Sequence, residues 1–154
     1  MRTFDYSPER VSLICGSEEI TGFAKDSSIT VRRTEKRFIY TPGIVDGMRT
    51  FVPNKHGEIV VNLLQGSPSN AVLFNFFLQD EDNVGSGVFS LTLSDKNSPT
   101  GLTIAEISAP FCWVSQEPEM MWSGNQEIRS WTLESGNISW KQTGAYSEAQ
   151  AQDA

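Results

Sequence analysis

Residues 58–64 read EIVVNLL, and like residues recur every second position. Ile59, Val61 and Leu63 fall on one side of an extended chain, and Glu58, Val60, Asn62 and Leu64 on the other. A period of two specifies a strand with one face to bury. It excludes a helix, whose apolar stripe returns every three or four residues. The same period recurs at 28–33, where Ile29 and Val31 oppose Ser28, Thr30 and Arg32. It recurs again at 126–134, where Trp131 and Leu133 oppose Ser130, Thr132 and Glu134. Further strands are expected at 10–15, 20–23, 87–94, 102–107 and 137–142. Gly16-Ser17-Glu18-Glu19 predicts a hairpin turn, DKNSPTG at 95–101 is dense in turn residues, and Ser135-Gly136 predicts a last hairpin.

One segment has helical spacing. Ser67 is a natural N-cap and Pro68 suits a first helical position. Ala71, Leu73, Phe74, Phe77 and Leu78 then follow close to a helical period. Asp80-Glu81-Asp82 oppose the helix dipole at a C-terminus, so the helix is expected to span about 68–79. The pattern predicts a mainly β fold: an antiparallel β-barrel or sandwich with one flanking α-helix. A single domain is expected over 1–145, followed by a polar C-terminal tail at 146–154.

The stretch 34–54, TEKRFIYTPGIVDGMRTFVPN, does not fit a compact barrel. A connection this long between two strands is either functional or disordered. Phe38, Ile39, Tyr40, Ile44, Val45, Met48 and Phe51 argue against disorder. It is read as a long extended arm that orders against another surface. The cluster Arg32, Arg33, Lys36 and Arg37, which straddles the start of this stretch, is a solvated strand end or a set of ion-pairing groups for an acidic neighbour, with nucleic-acid binding a third reading that nothing extends.

Charge limits the classes of partner. Of the net −7, residues 1–57 contribute +2 and residues 58–154 contribute −9. Such a chain is poorly suited to grip DNA, which needs Lys and Arg against phosphate. It suits a surface to which DNA must not adhere. No apolar run approaches the length needed to cross a bilayer as a helix, and no signal peptide is visible at the start. The expectation is a protein made in the cytoplasm, or released without classical secretion.

Catalytic patterns are sparse. His56, the lone histidine, stands in the turn sequence NKHG with no partner motif beside it. DEDNVG at 80–85 fails as a calcium loop, since its fifth and twelfth positions are Val84 and Leu91. No phosphate-binding glycine loop is present. Cys15 and Cys112 lie in apolar settings and are read as buried thiols. No enzyme activity, metal or cofactor is expected. Trp113, Trp122, Trp131 and Trp140 are spaced by nine, which serves either core packing or a sugar-binding platform.

Three stretches carry a family resemblance: GFAKDSSITVRRTEKRF, GIVDGMRTF and NKHGEIVVNLLQGSPSN. In that order they resemble the tail tube proteins of contractile-tailed bacteriophages, which are related to the tubes of type VI secretion and pyocins. The resemblance covers about residues 11–140. It implies a virion structural protein forming stacked hexameric rings, with strands from all subunits lining a lumen through which DNA passes without specific binding. It also implies partners among sheath, baseplate and tail-terminator proteins, assembly in the host cytoplasm, residence in the virion tail, and no membrane insertion. On this reading Arg32, Arg33, Lys36, Arg37, Phe38, Tyr40, Ile44, Val45, Met48 and Phe51 form the subunit interface. Glu58, Asn62, Thr132 and Glu134 are the candidates to face the lumen. The alternatives are a glycan-binding β-sandwich module, a secretion-system tube protein, and a small enzyme built around His56.

Overall fold

The computed structural model describes residues 5–25 and 28–143; the expected tail at 146–154 lies outside them. A short 3-10 turn leads into β1 (Val11–Cys15), β2 (Glu18–Ile20), β3 (Ile29–Arg33), β4 (Phe38–Pro42), β5 (Gly47–Phe51) and β6 (Gly57–Leu64). After the helix α1 (Ser69–Asp82) come β7 (Phe89–Asp95), β8 (Ala105–Gln116), β9 (Ile128–Ser135) and β10 (Ser139–Gln142).

Eight strands form one antiparallel sheet in the order β2-β1-β7-β8-β9-β6-β3, with β10 also paired to β8. The sheet curls until it meets itself. The chain leaving β2 turns onto β6, where Leu64 N–H donates to Gly22 O at 2.8 Å and Ala24 N–H to Asn62 O at 2.9 Å. The architecture is therefore barrel-like, as the alternating strands predict. Gly22 sits at this junction with φ +75°, and an added Cβ would lie 2.5 Å from Ser67 Oγ. Only glycine meets both conditions.

The inward residues are those the period of two selects. Leu13, Cys15 and Ile20 meet Ile59, Val61 and Leu63, together with Leu91, Ile107, Val114, Trp131 and Leu133, all buried in one cluster. Each large side chain so buried contributes about 1.5–3 kcal/mol, and this apolar interior is the main source of stability.

The start of α1 is tied to the barrel junction. Ser67 Oγ accepts from Ser69 N–H at 3.2 Å and donates to Thr21 O at 2.6 Å, while Ser69 Oγ accepts from Thr21 N–H at 2.8 Å. The helix buries Leu73, and Phe76 stacks on Phe89 at 4.4 Å between ring centroids. It runs to Asp82, three residues past the expected end. The acidic last turn is accommodated because the Asp80 carboxylate accepts from Gly85 N–H at 2.8 Å, beyond the helix end. Unfavourable dipole terms of about 0.3–1 kcal/mol per charge are smaller than the packing they would have to overcome.

Three strand assignments differ from expectation. β2 takes in Glu18 and Glu19, which pair with Cys15 and Ile14 instead of forming the turn, and it ends at Ile20 rather than at 23. β8 extends to Gln116, well past 107, even though Pro110 interrupts its alternation. Leu91 opposite Ala109 and Phe89 opposite Cys112 leave one extra residue on β8, a bulge that tolerates a proline. The expected last hairpin is absent. Ser135 lies opposite Cys112 and Ser139 opposite Ser108, so β9 and β10 run the same way along β8 and keep one register across 135–139. Ser135-Gly136 is a kink within that path. Ser135 Oγ donates to Phe111 O at 2.7 Å and holds the kink against β8.

Candidate functional site

The long arm is a hairpin. β4 and β5 pair from Phe38 opposite Phe51 to Pro42 opposite Gly47, forming a two-stranded sheet of their own. The hairpin grows out of the β3–β6 pair at its Arg33–Gly57 end. One of its faces is aromatic and cationic: the rings of Phe38 and Phe51 are 5.3 Å apart. Arg49 lies over Phe38 at 4.6 Å, and Arg37 over Phe51 at 4.8 Å. Tyr40 packs directly on Gly47, where any Cβ would clash with the ring. All ten strand residues are exposed. At the tip, Ile44 is 105% and Val45 90% exposed.

The basic cluster expected to meet a neighbour is mostly engaged within the chain. Arg32 Nη2 is 2.9 Å from Glu58 Oε2 across the β3–β6 ladder. Arg33 donates to Ile138 O at 2.9 Å and lies over Trp140 at 4.2 Å. Its other terminal nitrogen is buried with no hydrogen-bond partner. Burial and the nearby Arg37 charge lower the pKa of Arg33 from the ordinary guanidinium value. Arg37 donates to Pro53 O at 3.2 Å and Asn54 O at 3.0 Å, because the hairpin doubles back past it. Arg33 and Arg37 fasten the neck of the hairpin, Arg32 pairs on the exposed ladder face, and Lys36 is exposed.

Glu58, Asn62, Thr132 and Glu134 share the outward face of the β6–β9 ladder. Glu58 is opposite Glu134, Val60 opposite Thr132 and Asn62 opposite Ser130. Ser130 Oγ donates to Asn62 Oδ1 at 2.6 Å. The face is polar, and two of its acids have basic neighbours. Arg32 pairs with Glu58, and His56 Nε2 lies 3.6 Å from Glu134 Oε2.

His56 has partners that the sequence did not reveal. Thr34 Oγ1 is 3.1 Å from its Nδ1, opposite the Glu134 contact. A hydroxyl, an imidazole and a carboxylate in this order resemble a nucleophile-activating set. Here the His56 and Glu134 side chains are each one-third exposed at an open strand end. None of the three lines the cleft described next. Cys15 and Cys112 are buried free thiols; burial pushes Cys15 up to about 12 and raises Cys112 as well. Among the described residues no group of three or more His, Cys, Asp or Glu is placed to hold a metal.

A cleft at the other end of the ladder has no counterpart in the sequence expectations. It holds about 380 Å³ between α1 and the 117–127 loop, lined by Phe74, Pro118, Met120, Trp122 and Arg129 over Trp131. Arg129 is 5% exposed, donates to Met121 O at 3.3 Å and lies 5.4 Å from the centre of the Trp122 ring. The tryptophans form no shared platform: Trp131 is core, whereas Trp122 is exposed at this cleft.

No family model matches the chain, and no curated protein matches it in sequence. Solved structures do match in fold. A chain of the anti-feeding prophage cap, a tube-terminating cap, aligns with TM-score 0.61 at 10% identity, over 93% of this chain and 95% of that one. A chain of the sheath/tube terminator of PVC, an extracellular contractile injection system, aligns with TM-score 0.62 at 13% identity, over 90% and 98%. A chain of the extended PVC sheath–tube complex gives 0.60 at 12%, over 90% and 93%. The likeness is one of fold. It spans nearly the full length of each chain.

Proposed function

We propose that this chain is a structural subunit of a phage-tail-like tube, assembling as stacked rings of six around a lumen that conducts a genome or other cargo. The observation that carries this reading is the exposed apolar hairpin held out from a closed barrel. A monomer has no use for Ile44 and Val45 in water, whereas a neighbouring subunit can bury them. The shared fold with chains of tube, sheath and terminator assemblies supports it. So does the polar, acid-bearing face of β6 and β9, which suits a wall past which DNA slides. On this reading the hairpin residues Phe38, Tyr40, Ile44, Val45, Met48 and Phe51 are interface, and Lys36 is the cluster's remaining cation for a neighbour. Glu58, Asn62, Thr132 and Glu134 face the lumen. Sheath, baseplate and terminator proteins are the expected partners, in a virion tail or a related injection particle.

Val52 N–H donates to Arg37 O at 2.7 Å, so the ends of the hairpin are already adjacent. Residues 38–51 can be replaced by Asn-Gly, a favoured two-residue turn. The shortened chain is expected to keep its β circular dichroism and to form no tubes in negative-stain electron microscopy, while the full chain forms them. Normal tubes from the shortened chain would refute the role given to the hairpin. A full chain that stays monomeric at every concentration would refute the tube itself.

A further inference from the structure

The hairpin and the cleft lie at opposite ends of the same ladder. β6 enters at Gly57, beside the hairpin neck, and leaves at Leu64, beside Ile128 and Arg129 of β9. Eight residues of strand separate the two ends, about 23 Å at the usual rise. Ile44 and Val45 are almost wholly exposed, so the chain's own tip does not fill its own cleft. A second copy displaced along the ladder brings one to the other.

The two surfaces are complementary in chemistry. The tip is aliphatic, Ile44 and Val45, followed by the exposed carboxylate of Asp46. The cleft is walled by Phe74, Met120 and Trp122 and contains Arg129. That guanidinium is buried, yet among the described residues it has no carboxylate within salt-bridge distance. A buried cation held mainly by a carbonyl and a ring gains from a counter-charge.

We propose that the cleft between α1 and the 117–127 loop receives the hairpin tip of a second copy of this chain. Ile44 and Val45 fill the apolar part and Asp46 meets Arg129. The contact is heterologous, because the surface given differs from the surface taken; between copies displaced along the ladder rather than rotated about a closing axis, it repeats as an open stack. The proposal rests on the tube reading and adds to it the receptor for the tip.

Cysteine cross-linking tests it without disturbing the core. Val45→Cys and Met120→Cys both lie at exposed positions, and the native thiols are buried. A disulfide formed within one chain would give no ladder, so the readout reports contacts between copies. Under mild oxidation the double variant is expected to give a covalent ladder on a non-reducing gel. Val45→Cys with Val84→Cys, an exposed control beyond α1, is expected to give none. Single variants mixed with each other are expected to stop at a dimer. Microscopy of the same reduced samples separates the two claims. Tubes without a Val45–Met120 ladder, or an equal ladder from the control pair, overturn the proposed receptor but leave the tube reading standing. A ladder specific to Val45–Met120 without tubes supports the receptor and overturns the tube reading. Neither tubes nor ladder overturns both.

Discussion

The indole N–H of Trp131 donates to Asn70 Oδ1 at 2.9 Å, joining the largest fully buried side chain of the barrel to the first turn of α1. The amide nitrogen of the same Asn70 faces the carbonyls of Leu64, Gln65 and Ser67 at 2.9, 3.3 and 3.2 Å. One side chain thus sets both the helix start and the end of β6, and both border the cleft.

Replacing Asn70 tests that role. Asn70→Ala leaves the Trp131 indole N–H, on a side chain only 1% exposed, without an acceptor. The expected loss is about 1–3 kcal/mol, read by urea unfolding followed through tryptophan fluorescence. Asn70→Asp keeps the acceptor but turns a carboxylate toward three carbonyl oxygens. It is expected to cost at least as much. An Asp variant as stable as wild type would mean that the carbonyl contacts contribute nothing.

The Arg32–Glu58 pair should contribute little to folding. Its side chains are 64% and 21% exposed, so water screens the attraction. Arg32→Ala is expected to lower stability by about 0.2–1 kcal/mol, with the loss reduced by added salt. A double-mutant cycle with Glu58→Gln measures the coupling. A coupling above about 2 kcal/mol would show that the pair is shielded in a way its exposure does not indicate.

The two thiols make stability depend on alkaline pH. Cys15 is raised from 9.0 to about 12 by burial, and Cys112 is raised by burial and by Cys15. Above pH 9 the unfolded chain releases these protons while the folded chain retains them. Stability is therefore complete below about pH 9. It falls above that by about 1.4 kcal/mol per pH unit for each thiol, up to the folded value. Cys15→Ala with Cys112→Ala should flatten this slope despite a lower starting stability. In the native protein neither thiol should react with an aromatic disulfide reagent at pH 8, and both should react in urea.

The sequence was most informative where one local rule governed. The alternation of Ile59, Val61 and Leu63 located β6 and its buried face, and Ser67-Pro68 located the helix start. Readings failed where a tertiary partner overrode the local signal. Pro110 reads as a break, yet the bulge opposite β7 absorbs it and β8 continues. Ser135-Gly136 reads as a hairpin turn, yet the bond from Ser135 Oγ to Phe111 O keeps the chain on β8. Asp80-Glu81-Asp82 read as a helix stop, yet Asp80 is satisfied by Gly85 N–H. In the arm, Thr41-Pro42-Gly43 hid the pairing of Phe38 with Phe51 and of Tyr40 with Arg49. The cleft left no pattern to read, because its walls come from α1, the 117–127 loop and β9, which only the closed barrel assembles.

The hairpin leaves the barrel at one end of the β6–β9 ladder, and the start of α1 with the 117–127 loop occupies the other. An object with unlike ends carries an arrow. Were the tip to seat in the cleft of the next copy as proposed, repetition would give a filament whose termini differ chemically, one presenting free tips and the other empty receptors. A molecule that recognises one terminus has no purchase on the other, so growth can be stopped at one end while the opposite end stays anchored.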